Sequence, residues 1–150
     1  MHKPQQQVRE LHEAIEHPAP VKLEPLAEDR LKLRLSLIME EAREIVAAAG
    51  AREIRWRACL GANPGPRYTL EVEKPMDVPE TIDGLCDLLV VTYGMAVEMG
   101  VDLEPFFEEV HRTNMTKGDG PLREDGKRLK PPGWTPPDIA GLLKKLHGVE

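Results

Sequence analysis

Residues 78–99 read VPETIDGLCDLLVVTYGMAVEM, and Gly100 follows. The stretch has the marks of one helix. Asp77 and Glu80 have the spacing of a capping box, Pro79 stands in the first turn, and Gly100 supplies the stop. At roughly 100° per residue, Glu80, Asp83 and Asp87 fall within an arc of about 60°. The same side continues as Val90, Val91 and Gly94. Aspartate is a poor helix-interior residue. Two aspartates at i and i+4 in a Leu/Val-rich helix therefore point to a task for the carboxylates.

The preceding helix repeats the pattern. Its apolar spacing predicts a helix over 28–49, closed by Gly50. Leu31, Leu35, Ile38, Ala42, Ile45 and Ala49 form the main stripe, with Leu33 and Leu37 off it. A helix apolar on more than one side is central. Glu40, Glu41 and Glu44 fall within an arc of about 100° on the side that holds Leu33 and Leu37 one turn earlier. An isolated EExxE would be a solvated face. Two helices with acids on otherwise apolar sides predict instead that the acids are partly buried against another helix. Buried like charges repel and cost several kcal/mol each to desolvate, so they take up protons or a cation. Carboxylates with no His or Cys among them are hard oxygen donors. They select Mg²⁺, with Mn²⁺ as a substitute, over Zn²⁺.

The rest of the chain is punctuated by proline. Helices are expected over 5–16, from after Asp102 to near Met115, and from Thr135-Pro136 to just before Gly148. The runs EIRWRACL and RYTLEVEK flank GANPGP within 53–74 and predict a hairpin. The expected fold is all-α: a bundle of about five helices with a small β-hairpin insertion between helices two and three, forming a single domain over 1–150. With 150 residues, 41% hydrophobic and 31% charged, the chain has the composition of a globular domain. A net charge of −6 argues against a nucleic-acid coat, and no apolar run is long enough to span a bilayer. The N-terminal MHKPQQQVRE has no apolar leader, so a cytoplasmic protein is expected. Cys59 and Cys86 lack disulfide-framework or metal-site spacing, and Cys86 is expected in the core.

Cations gather late: Arg112, Lys117, Arg123, Lys127, Arg128 and Lys130. Residues 117–133, rich in Gly and Pro, read as a long loop. Lys117, Lys127 and Lys130 suit phosphate oxygens, Asn114 a base or sugar, and the Trp134 ring a stacked base. The plain alternative is a solvated loop that balances an acidic protein.

The ordered combination of EExxE, ETIDGLCD, HRTNMTK and KPPGW resembles the all-α nucleoside triphosphate pyrophosphohydrolases. It is most similar to the MazG-like and phosphoribosyl-ATP-pyrophosphohydrolase-like branch that includes dimeric dUTPases. The resemblance covers about residues 31–50 and 78–143. It implies a metal site inside a helical bundle, a homodimer or dimer of dimers, and hydrolysis of a nucleoside triphosphate to monophosphate and pyrophosphate. On this footing Glu41, Glu44, Glu80 and Asp83 are expected as metal ligands, with Asp87 a ligand or its support. Glu40 is expected to orient or deprotonate the attacking water. Nucleic acid polymers and membranes are not expected partners. The rivals are a non-catalytic nucleotide-binding helical dimer and a purely structural module.

Overall fold

The computed structural model describes residues 2–57, 67–122, 126 and 128–148. Five α-helices and a two-stranded antiparallel sheet are found there: α1 (Lys3–Ala14), α2 (Glu28–Ala48), β1 (Ala51–Arg57), β2 (Arg67–Val72), α3 (Val78–Glu98), α4 (Glu104–Met115) and α5 (Ile139–His147). The all-α class and the hairpin between the second and third helices are as expected. The hairpin's GANPGP connection falls outside the described residues. No described helix is long and apolar enough to cross a membrane.

The chain divides into two compact units, Met1–Pro25 with Ala96–Glu150, and Leu26–Met95. The first unit holds the buried apolar residues Val8, Ala96, Val97, Val101 and Phe106. Gln5 lies among them with no exposed surface. Both ends of its amide are used: Nε2 donates to the Val101 carbonyl at 2.6 Å, and Oε1 accepts the Leu103 N–H at 3.0 Å. A buried amide is tolerated only when satisfied in this way. α1 stops at Ala14, two residues before the expected end, because Glu16 turns into the left-handed region at φ 58°. The returning segment crosses the end of α3, where the Glu24 N–H donates to the Met99 carbonyl at 3.0 Å.

The expected late loop begins with a 3₁₀ turn over Thr116–Asp119, and Leu122 and Arg128 form an isolated bridge. α5 starts at Ile139 rather than at the Thr135-Pro136 signal, because the Asp138 side chain takes the cap and accepts the Gly141 N–H at 2.9 Å. Glu109 ties this cap to α4. Its carboxylate accepts from Arg112 Nε and Nη2, both at 2.7 Å, and from the Asp138 N–H at 3.0 Å. The Arg112 hydrogen bonds first, and the Asp138 N–H second, hold the Glu109 carboxyl down to about 2 from an ordinary 4.5. A depressed carboxyl stabilises the folded state above the unfolded value, and that contribution fades as the pH falls from 4.5 toward 2. Thermal melts across this window should show an acid-induced loss that is smaller in Glu109→Gln. Equal acid sensitivity of the two proteins would contradict the assignment.

In the second unit the hairpin grows directly from α2. Gly50 has φ +74° and donates to the Ala47 carbonyl at 3.0 Å. Its own carbonyl accepts the Glu73 N–H at 2.8 Å, and the Asp77 N–H reaches the Ala48 carbonyl at 2.8 Å. The strands pair from Ala51 opposite Val72 to Arg57 opposite Arg67, with an irregularity between Glu53 and Arg55. A Cβ on Gly50 would overlap the Lys74 carbonyl oxygen. Gly50→Ala therefore combines a left-handed backbone, costing roughly 1–2 kcal/mol, with a backbone clash. We expect a melting temperature lower by at least about 5 °C in a calorimetric scan. An unchanged midpoint would show that the junction yields freely.

The inner line of α2 is shifted from the expected stripe. Leu37, Ile38, Ala42 and Ile45 are half-buried, whereas Leu31 and Leu35 are exposed. On α3 the half-buried line is Thr81, Gly84, Leu88, Val91 and Met95. Cys86, expected in the core, is exposed.

Candidate active site

α2 and α3 come close together at Gly84 and Ile45, next to the acids. A Cβ on Gly84 would come within 3.0 Å of Ile45 Cγ1 and 3.7 Å of the Ile45 backbone nitrogen. The missing side chain at Gly84 is thus what permits the approach. Gly84 follows Asp83 directly, and Ile45 follows Glu44. The close contact therefore sets the EExxE turn of α2 beside the first acidic turns of α3. At the start of α3 the Asp77 carboxylate accepts the Glu80 N–H at 3.2 Å, as a capping residue does.

The electrostatics show which acids share a neighbourhood. The Glu41 carboxyl is raised above the ordinary 4.5, first by burial and then by the charges of Glu44, Asp87, Glu40 and Asp83. Four of the other five sequence-identified carboxylates, two on each helix, therefore act on Glu41. Glu80 does not contribute to this field at Glu41 and stands at the capped end of α3. The expected burial is only partly found. Glu41 is half-buried on the inner line of α2, but Glu40, Glu44, Glu80, Asp83 and Asp87 are exposed in the single chain. They lie beside the inner lines of the helices, so the chain's own residues do not cover them. An all-carboxylate oxygen set suits a hard divalent cation, which would relieve the unfavourable charge at Glu41.

The late cations form a cluster of their own with Asn114 and Trp134. Lys117 Nζ donates to Asn114 Oδ1 at 2.7 Å and lies 5.6 Å from the centre of the Trp134 ring. Lys130 Nζ sits over the same ring at 3.9 Å. The indole N–H donates to the Thr113 carbonyl at 3.2 Å, which fixes the ring against the end of α4. Asn114, Lys117, Lys130 and Trp134 are thus brought together, in the unit that does not carry the acids. Lys127 lies outside the described residues.

One further group escaped the sequence reading. His12, His17 and Glu98 place three ligand atoms within 4.8 Å of one another, the one such His/Cys/Asp/Glu group among the described residues. The H-x₄-H spacing of His12 and His17 is a metal-ligand spacing and was the available signal.

A family model for phosphoribosyl-ATP pyrophosphohydrolase matches residues 8–114, well over half of the chain. The match contains all six acids and Asn114, and ends before Lys117, Lys130 and Trp134. No curated protein matches the chain. Enzymes of this family are pyrophosphohydrolases of a metal-dependent type. Two acidic helices in close approach, an all-α fold and this match agree: the chain belongs to the phosphoribosyl-ATP pyrophosphohydrolase family, within the MazG-like pyrophosphohydrolases.

Proposed function

We propose that the protein is a Mg²⁺-dependent nucleoside triphosphate pyrophosphohydrolase. It converts a ribo- or deoxyribonucleoside triphosphate and water to the monophosphate and pyrophosphate, as a cytoplasmic house-cleaning activity on the nucleotide pool. The observation that carries the reading is the close approach of α2 and α3 at Ile45 and Gly84, which gathers the charges of Glu40, Glu44, Asp83 and Asp87 around Glu41.

In this reading Glu41, Glu44, Asp83 and Asp87 hold Mg²⁺, with Mn²⁺ able to replace it. Glu80 completes the donor set from the first turn of α3. When bound there, such an ion would supply charge neutralisation to the triphosphate. Glu40, on the exposed side of α2 next to Glu41, accepts a proton from water as the water attacks phosphorus. Lys117, Lys127 and Lys130 receive phosphate oxygens, Asn114 hydrogen-bonds the nucleoside, and Trp134 stacks on the base. A pyrophosphate-release panel over all ribo- and deoxyribonucleoside triphosphates with Mg²⁺ tests the activity. Release from at least one of them is expected. Nucleotide binding with no release from any would leave the non-catalytic dimer in its place.

The active form is a homodimer or a dimer of dimers. Leu31, Leu33, Leu35 and Met39 on α2 are exposed in the single chain, as are Ile82, Leu85, Leu89 and Val90 on α3. Exposed apolar side chains in this number on two neighbouring helices mark an interface, and a second copy brings the same helices to cover them. Light scattering should give at least twice the 16.8 kDa chain mass. A value of one chain mass across micromolar concentrations would exclude the assembly.

A further inference from the structure

We infer that His12, His17 and Glu98 form a second metal site, for a borderline transition metal of the Zn²⁺ type, apart from the acidic face of α2 and α3. All three residues belong to the first unit: His12 from α1, His17 from the turn that follows, and Glu98 from the last residue of α3.

The donor chemistry differs from that of the other acids. Two imidazoles and one carboxylate make a set suited to Zn²⁺ and its neighbours, whereas all-oxygen sets suit Mg²⁺. His12 and Glu98 are each only 3% exposed, and a buried carboxylate demands a positive charge beside it. The ligand atoms lie within 4.8 Å of one another. Donors about 2.0–2.1 Å from a tetrahedral ion are about 3.4 Å apart. The ion is therefore reached by a contraction within the range of side-chain rotation.

The surroundings hold the ligands as metal ligands are commonly held. His12 Nδ1 lies 3.2 Å from the Pro18 carbonyl oxygen. A proton on that nitrogen gives Nε2 the lone pair that a metal takes, and such a backbone partner orients the ring. The left-handed Glu16 reverses the chain, and the His17 N–H donates to the His12 carbonyl at 2.8 Å. The two rings meet edge-on with centroids 5.5 Å apart. Arg9 fixes the chain beyond, donating to the carbonyls of Ala19 at 2.8 Å and Pro20 at 2.9 Å. An ion here would fasten the N-terminal helix and its turn to the end of α3.

The alternative occupant is a proton: an imidazolium paired with Glu98 and no metal. Cobalt separates the two. The full chain carrying Glu41→Gln and Glu44→Gln, which removes ligands from the acidic face, is stripped with chelator and titrated with Co²⁺. We expect one equivalent to produce the intense visible absorption of four-coordinate Co²⁺, and Zn²⁺ to displace it. Adding His17→Ala should weaken Co²⁺ affinity at least tenfold, and Glu98→Gln should do likewise. Zn²⁺ should raise the melting temperature of the parent protein and not that of the His17→Ala form. The parent titration needs no change at the histidines, so a misfolded variant does not blunt the test. No four-coordinate absorption, or absorption unaltered by both substitutions, overturns the site and leaves the proton-held trio. The pyrophosphate-release panel is unaffected by either outcome.

Discussion

Glu44→Gln should lower pyrophosphate release by roughly a thousandfold or more while leaving the helical circular dichroism unchanged. The glutamine keeps the shape of the side chain and loses its charge. Glu44 is the largest of the neighbouring charges acting on the half-buried Glu41. It stands on the turn of α2 that Gly84 brings against α3. Losing one ligand removes part of a charge stabilisation worth several kcal/mol, and each 1.4 kcal/mol is a decade in rate. The same change relieves repulsion in the metal-free protein, so its melting temperature should hold or rise. A second readout follows. Mg²⁺ bound only to the folded state raises the melting temperature of the parent, and Glu44→Gln should lose most of that rise. Activity near the parent level would remove Glu44 from the ligand set, and with it the reading of the acidic face.

Lys117→Ala should lose about ten- to a hundredfold in kcat/KM, and by a similar factor for every base. A charge-assisted hydrogen bond to phosphate contributes roughly 1.5–3 kcal/mol, and all substrates share the phosphates. Lys117 donates to Asn114 Oδ1 at the end of α4, one turn apart on the chain, so its ammonium is already positioned. Trp134→Ala should behave differently. The ring is fixed by its N–H to Thr113 and carries Lys130 on its face, and its loss should weaken nucleotides unequally if bases stack there. A Lys117→Ala enzyme that reordered the bases and kept its rates would move this residue from phosphate to base recognition.

Helix ends were readable where a local device sets them. Gly50 and Gly100 take positive φ at the ends of α2 and α3, and Asp77 caps α3, as the residue types demand. The start of α5 was misplaced because Thr135-Pro136 has the look of a helix start, while the Asp138 side chain decides the cap. Which apolar side of α2 meets its own chain could not be read from periodicity. Leu31 and Leu35 follow the same spacing as Ile38 and Ile45, yet only the latter pair is half-buried. The acids were readable as a group because two helices carried the same anomaly. Their exposure was not, because the sequence of one chain does not distinguish its own cover from a partner's. The His12, His17 and Glu98 group joins residues 86 positions apart, a proximity that only the returning chain creates.

Gln5 also has a consequence for the order in which the molecule is made. Its two amide partners, Val101 and Leu103, stand 96 and 98 residues further along the chain. At about 5–20 residues per second of synthesis, α1 waits roughly 5–20 seconds before either partner exists. For nearly all of that interval Val8 has none of Ala96, Val97, Val101 or Phe106 to bury against. The unit Leu26–Met95, contiguous in the chain, has meanwhile been synthesised in full. The earliest helix to be made is therefore among the last to dock, and the newborn chain carries it as an open end until the ribosome has passed the start of α4.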